Sequence, residues 1–262
     1  MFLNLWQYRQ FIYSCVKRDF KAKYTGSVLG ILWTVFQPLA MIFVYTVIFS
    51  KVMQNKLQGM EMLQFAYSIY LCSGILTWNL FQETLNSCIN VFIYNGNLMK
   101  KVSFPRICLP AIAMFNALTN FIVGFFLFLL FLLLIRQLPF SLMPCFFVVI
   151  IVQCFFSVSI GVGLGVLNVF FRDIGQMINV VLQFWFWFTP IVYLPTIVPE
   201  RLRFFLYLNP MYHIIAAYQN IFVYHKIPNL FFVFCVFLLS LIIGIWALGL
   251  YRKHVGELVD EL

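Results

Sequence analysis

The chain has 262 residues, 63% of them hydrophobic and only 10% charged, with a net charge of +9. A water-soluble globule of that make-up would leave large apolar surface in water, so the composition excludes the ordinary soluble class and reads as a polytopic membrane protein. The positive charge sits in short clusters at the ends of apolar runs, where membrane orientation and anionic headgroups account for it. No basic stripe or recognition motif points to nucleic acid.

Residues 2–23 are too mixed to cross a bilayer. Phe2, Leu5, Tyr8, Ile12, Val16 and Phe20 recur at helical spacing on one face, with Lys17, Arg18 and Lys21 opposite. That is the pattern of an amphipathic helix lying in the interface plane. Arg9 and Asp19 intrude on its apolar face, Asp19 one turn from Lys23. A lipid-surface anchor and a docking surface for a cytoplasmic partner both fit.

Tyr24 to Ser50 follows without a charge, longer than the roughly 20 apolar residues a helical span needs. The basic residues before it put the N-terminus in the cytoplasm. Trp33 lies within this span, and Gln37-Pro38 predicts a kink near its middle. Residues 51–61 read as an outer loop and Met62 to Gln82 as a second span holding Tyr67, Tyr70 and Trp78, with Glu83 marking the return to the cytoplasmic interface. A cytoplasmic loop then carries the turn signal Asn95-Gly96-Asn97 and the cluster Lys100, Lys101, Ser103, Phe104, Pro105 and Arg106.

The third span runs from Ile107 to Ile135, a tight outer turn with Pro139 follows, and the fourth runs from Pro144 to Phe170. Within it Ser157, Gly161 and Gly165 fall four apart, stripping one helix face of bulk. Close helix packing is the ordinary use of such a face, and a ligand contact is the other. Gly175 to Tyr193 makes the fifth span, with Trp185 and Trp187 in an aromatic run that ends in Thr189-Pro190. Phe204 to His225 also lacks charges, but Asn209, Pro210, His213, Gln219 and Asn220 are expensive against lipid, so it reads as an outer re-entrant or interfacial helical hairpin. The last span is Pro228 to Leu250, capped inside by Tyr251-Arg252-Lys253. The fold class is therefore an all-α polytopic membrane protein of six transmembrane helices. Residues 1–23 form the interface helix, 24–250 the core with its re-entrant segment near 204–225, and 251–262 a cytoplasmic tail.

No catalytic constellation accompanies these spans. HExxH, GxSxG and the GxxxxGK[ST] phosphate loop are missing from the sequence, the three histidines sit far apart, and neither a catalytic site nor a metal site is expected. His213, beside an Asn-Pro turn, reads as a hydrogen-bonded interfacial residue rather than a catalyst. The seven cysteines have no paired spacing and read as small hydrophobes. Glu83 and Asp173 fall at membrane edges, so no carboxylate relay of the ion-driven transporters is visible. No cleavable signal peptide is expected either. If the chain pumps, its energy comes from another subunit.

Five strings in order, KYTGSVLGILWTVFQPL at 23–39, NLMKKVSFPRICLP at 97–110, LNVFFRDIGQ at 167–176, FTPIVY at 188–193 and LNPMYHII at 208–215, resemble permeases of the type-2 ABC exporters. The likeness is strongest to those exporting lipid-linked O-antigen or related polysaccharides, and it covers nearly the whole chain. It implies a single permease domain over residues 1–262, working as a homodimer of six-span subunits in the bacterial inner membrane. A separate ABC ATPase subunit would bind ATP and Mg, and this chain would hold no cofactor. The cargo would be an undecaprenyl-diphosphate-linked glycan moved from cytoplasm to periplasm.

By the same resemblance, Lys17, Arg18 and Lys21 on the interface helix and Lys100, Lys101, Phe104, Pro105 and Arg106 on the loop couple to the ATPase. Asn209, Pro210 and His213 belong to a periplasmic gate. Where many relatives carry an arginine after the Asn-Pro segment, this chain has Gln219. One subunit of six helices can hardly enclose a conduit for a sugar chain, whereas two facing copies can. The aromatics Trp33, Tyr67, Tyr70, Trp78, Trp185 and Trp187 are conduit candidates because flat faces with polar tips suit sugar rings, although aromatics also pack generic helices. A permease for teichoic acid, capsule or another lipid-linked cargo stays open beside this reading. So does a membrane assembly protein of polysaccharide synthesis without transport of its own.

Overall fold

The computed structural model describes residues 8–24, 30, 32–51, 65–101 and 105–257. Phe2 and Leu5 of the expected interface helix, the expected loop over 52–61, the start of the expected second span, and Ser103 and Phe104 lie outside the described residues. Among the described residues the chain is helical with no strand.

Helix α1 spans Arg9–Tyr24. It buries Ile12 and Cys15, half-buries Val16 and Phe20, and leaves Tyr8 exposed, so its packed face is the expected one turned toward Cys15. Helix α2, Leu32–Lys51, continues through Pro38. Helix α3 runs over Ala66–Tyr94, roughly three turns past the expected exit at Gln82. The short α4, Gly96–Lys101, follows the turn at Asn95.

Helix α5, Cys108–Leu134, ends in a left-handed residue, Arg136 at φ 58°, with Gln137 N–H donating to the Leu132 carbonyl and Arg136 N–H to that of Leu133. This paired back-bonding closes the helix and turns the chain sharply. Helix α6, Met143–Phe170, follows a single 3-10 turn. Helix α7, Asp173–Phe188, stops five residues short of the expected span end because Pro190 disfavours helix at Thr189, which is extended.

The expected hairpin over 204–225 is two helices, α8 (Glu200–Leu208) and α9 (Pro210–Phe222), broken at Asn209. The Asn209 side chain caps α9 by accepting from Met211 N–H at 3.0 Å, and Pro210 occupies the first turn, where no donor is missed. Helix α10, Leu230–His254, is capped in the same way by Asn229.

Among the described residues three helices, α5, α6 with its preceding turn, and α10, are long and apolar enough to cross a membrane, and residues Leu32–Val47 form a shorter apolar helix. The protein is thus a multi-pass helical membrane protein. Helix α7, at 16 residues, is only about 24 Å long, and α3 has the length but carries a polar face described below.

The core is built around α3, which packs on α5, α6 and α9, while α10 covers the far side of α6. Tyr70, Phe81, Phe128, Phe156, Tyr218 and Phe222 are fully buried there, and the Phe125 and Phe146 rings stack at 4.4 Å. Gln153 on α6 ties three helices: its amide donates to the Thr77 carbonyl at 2.7 Å and its oxygen accepts from Tyr218 Oη at 2.8 Å. The small-residue face of α6 is a packing face. A Cβ on Gly161 would lie 2.5 Å from Cys88 Cβ, and one on Gly165 would lie 2.7 Å from the Cys88 carbonyl oxygen. Five of the seven cysteines, Cys15, Cys72, Cys88, Cys108 and Cys154, are buried as expected of small hydrophobes.

Candidate functional site

A second apolar cluster gathers at the end of the bundle where α1 lies. Ile12 and Cys15 of α1, Phe92 of α3, Met99 of α4, Leu109 and Ile112 of α5, and Val169 of α6 pack together. Asp19, which with Arg9 intrudes on the apolar face, is held by Arg18 at 2.9 Å and accepts from Asn116 Nδ2 of α5 at 3.2 Å. The intruding carboxylate therefore latches α1 to α5. Its hydrogen bond raises the Arg18 pKa, and burial pushes the Cys15 thiol up against the opposing pull of Arg18.

The chain's last described turns join this end. The Arg106 guanidinium donates to the Val255 carbonyl, Tyr251 stacks on Phe92 at 6.2 Å, and His254 meets the Phe170 ring edge-on at 5.3 Å while pairing with Glu257 at 2.7 Å. Lys17, Arg18, Lys21 and Lys100 are exposed on this platform, and Pro105 and Arg106 are half-buried in it. The side chain of Lys101 and all of Phe104 lie outside the described residues. Of the eight residues that the sequence pointed to for coupling, the structure brings six to one surface.

The opposite end gathers most of the other candidates. Tyr70 is buried, with its hydroxyl 3.0 Å from the carbonyl oxygens of Pro190 and Tyr193, and Tyr67 donates to the Val192 carbonyl at 2.5 Å. These bonds clamp the irregular stretch after α7 onto α3. Trp185 Nε1 donates to Asn209 Oδ1 at 2.8 Å, Asn209 Nδ2 donates to Thr189 Oγ1 at 2.8 Å, and the buried Trp78 meets the Trp185 ring at 6.3 Å. Asn209 and Pro210 thus join the helix break to the end of α7.

His213 Nε2 lies 2.8 Å from the Tyr207 carbonyl, so that nitrogen carries the proton, and the ring stacks on Phe232 at 4.3 Å. It is hydrogen-bonded, as the sequence suggested. Gln219 is buried, with no hydrogen-bond partner for its amide nitrogen among the described residues. A mostly apolar cavity of about 490 Å³ opens here between Trp185, Tyr193, Leu202, Phe205 and Asn209. Trp33, beside Phe36 on α2, is exposed and stands apart from this cluster, while Trp187 is exposed at its rim, with its carbonyl accepting from Tyr193 Oη at 3.0 Å.

One set of residues escaped the sequence reading. Asn79, Gln82, Glu83, Asn86, Ser87 and Asn90 recur on α3 at steps of three and four, a continuous polar stripe along one helix face. Glu83 therefore sits inside a helix, roughly three turns before its end. The signal was present as spacing, but its low average hydropathy reads as an exit from the membrane. The upper stripe lines a cavity of about 520 Å³ shared with Thr34, Gln37 and Pro38 of α2 and Asn120 of α5. Asn120 Nδ2 donates to Glu83, and Trp78 Nε1 donates to Gln82 Oε1 at 3.0 Å. Lower down, Asn168 of α6 donates to the Ile89 carbonyl at 3.2 Å and accepts from Gly175 N–H at 2.9 Å, fastening the turn between α6 and α7 onto α3.

Comparison with known proteins gives a consistent picture. The ABC-2 type transporter family matches residues 10–223. An O-antigen export system permease protein RfbA from Myxococcus xanthus is 32% identical over 228 residues, covering 86% of this chain and 85% of that protein. A protein of the same name from Klebsiella pneumoniae is 25% identical over 237 residues, covering 90% of this chain and 88% of its own length.

Proposed function

Since this chain belongs to the ABC-2 type transporter family, we propose that it is the permease subunit of an ABC exporter of O-antigen polysaccharide. The observation that carries the reading is its end-to-end likeness to permeases named for O-antigen export. The chain is a transport subunit and not a catalyst. Its sequence holds no phosphate loop, so ATP and Mg belong to a separate ABC ATPase.

In finer terms, two copies face each other across the conduit, each crossing the inner membrane six times with both termini in the cytoplasm. The helices that cross would be α2, α3, α5, α6, α7 and α10. The cargo is an undecaprenyl-diphosphate-linked glycan moved outward to the periplasm. The gathering of Lys17, Arg18, Lys21, Lys100 and Arg106 at one end supports that surface as the ATPase contact, and its excess of positive charge fits the cytoplasmic side. Trp78, Trp185, Asn209 and His213, joined through the break between α8 and α9, support the opposite end as the gate.

Deleting the gene alone tests the function. The polymer should be made in full and remain lipid-linked on the cytoplasmic side, with none at the cell surface. Disabling the ATP site of the partner ATPase should give the same phenotype. Surface polymer persisting in the deletion strain, with no second exporter present, overturns the proposal.

A further inference from the structure

The cavity between α2, α3 and α5 has a chemistry of its own. Its volume of about 520 Å³ is within the range of small-ligand sites. Gln82 and Glu83 have partners, as described, but the side chains of Asn79, Asn86, Ser87 and Gln37 make no hydrogen bond among the described residues. Carboxamides left unpaired against lipid are costly, so this face is turned to something polar.

The residue types decide what that is. A carboxamide offers two N–H donors and a carbonyl acceptor, the combination that neighbouring sugar hydroxyls need. The charges in the lining are one of each sign, Lys23 and Glu83, so an anionic group such as a diphosphate gains no net attraction. Pro38 and Met41, half-buried in the lining, add apolar surface to the wall, against which the C–H face of a sugar ring can pack. A second copy of the chain is the competing occupant, because α7 leaves Gln176, Asn179 and Gln183 exposed beside its apolar residues, and permease-to-permease adducts in the experiment below would reveal it.

We infer that this cavity is a saccharide-binding subsite that holds an uncharged sugar residue of the exported glycan through Asn79, Asn86 and Gln37. The assignment rests on the exporter reading. It places sugar contact on the amide stripe of α3.

Photo-cross-linking in cells that make the polymer tests it. With benzoylphenylalanine in place of Asn79 or Asn86, illumination should give permease adducts that react with antiserum to the polymer. No such adduct should form from Ile122 or Ile242, both exposed on apolar helices, or when glycan synthesis is blocked. Permease-to-permease adducts alone, or no glycan adduct while export continues, overturn the subsite.

A second arm reads export. Asn79→Leu and Asn86→Leu should each lower surface polymer about three- to tenfold, the factor one lost neutral hydrogen bond carries, with normal permease amount and ATPase copurification. Asn86→Gln, which keeps the amide, should retain export. Unchanged export in both leucine variants, in a strain where deletion abolishes it, overturns the subsite and leaves the exporter standing. Export that survives the deletion itself overturns the exporter.

Discussion

Replacing Gly165 by alanine should part α6 from α3, and the size of the effect can be worked from the contact. The new Cβ would lie 2.7 Å from the Cys88 carbonyl oxygen, about 0.6 Å inside an ordinary carbon-to-oxygen approach. That oxygen is backbone in mid-helix and cannot rotate aside, so the two helices must separate along the contact that Gly161 also makes. Overpacking of this kind costs about 1–3 kcal/mol.

Alanine is also a better helix former than glycine by about 1 kcal/mol, which would mask part of the loss. Gly249→Ala is the matched control, because a Cβ there has nothing within 4 Å and receives the same helical gain. The difference between the two variants therefore isolates the clash. At about 2–4 °C per kcal/mol for a chain of this size, Gly165→Ala should melt about 2–12 °C below Gly249→Ala. Thermal unfolding of the detergent-purified protein, followed by loss of the monodisperse chromatographic peak, reads this directly. Equal melting of the two variants would refute the close approach of α3 and α6.

Two further outcomes are expected. Single cysteines placed at positions 136 and 226 in a cysteine-free background should label from the periplasm, and those at 21 and 253 from the cytoplasm. Periplasmic labelling of position 253 would break the six-pass arrangement. Reversing Lys17, Lys21 and Lys100 to Glu together should reduce ATPase copurification about tenfold or more through like-charge repulsion, with permease insertion unchanged; Arg18 is kept because it holds Asp19. Undiminished copurification would return those lysines to a purely orienting role.

Hydropathy made the most apolar helices legible. The expected spans 107–135, 144–170 and 228–250 lie within four residues of α5, α6 and α10 at either end, because a long apolar run has few alternatives to a helix. The packing role of Gly161 and Gly165 was also readable from spacing alone. Helix α3 continues past Gln82, where its span was expected to end, and a hydropathy average does not show the face on which Asn79, Gln82, Glu83 and Asn86 recur. The tying of Tyr67 and Tyr70 to residues 190–193, and of Arg106 to Val255, joins positions far apart in the chain. Nothing local in the sequence encodes such a pair. The helix break at Asn209 was half legible: Asn-Pro announces a cap, but not that the same amide also reaches Thr189 and Trp185.

The glycine contacts of α6 also bear on which parts of the subunit can move. Gly161 and Gly165 set one side of α6 against α3, and a Cβ on Gly163 would lie 2.6 Å from the Trp246 ring of α10 on the other. Helices α3, α6 and α10 therefore form an interlocked slab, and sliding any one against its neighbour would drive backbone into backbone or ring. By contrast α2 and α7 each bury a single side chain among the described residues, Ile42 and Leu182. Helix α7 meets the core mainly through Trp185 and Phe186, whose rings lie against Trp78 and Phe81. Within one subunit the steric lock thus falls on α3, α6 and α10, and α2 and α7 lie outside it.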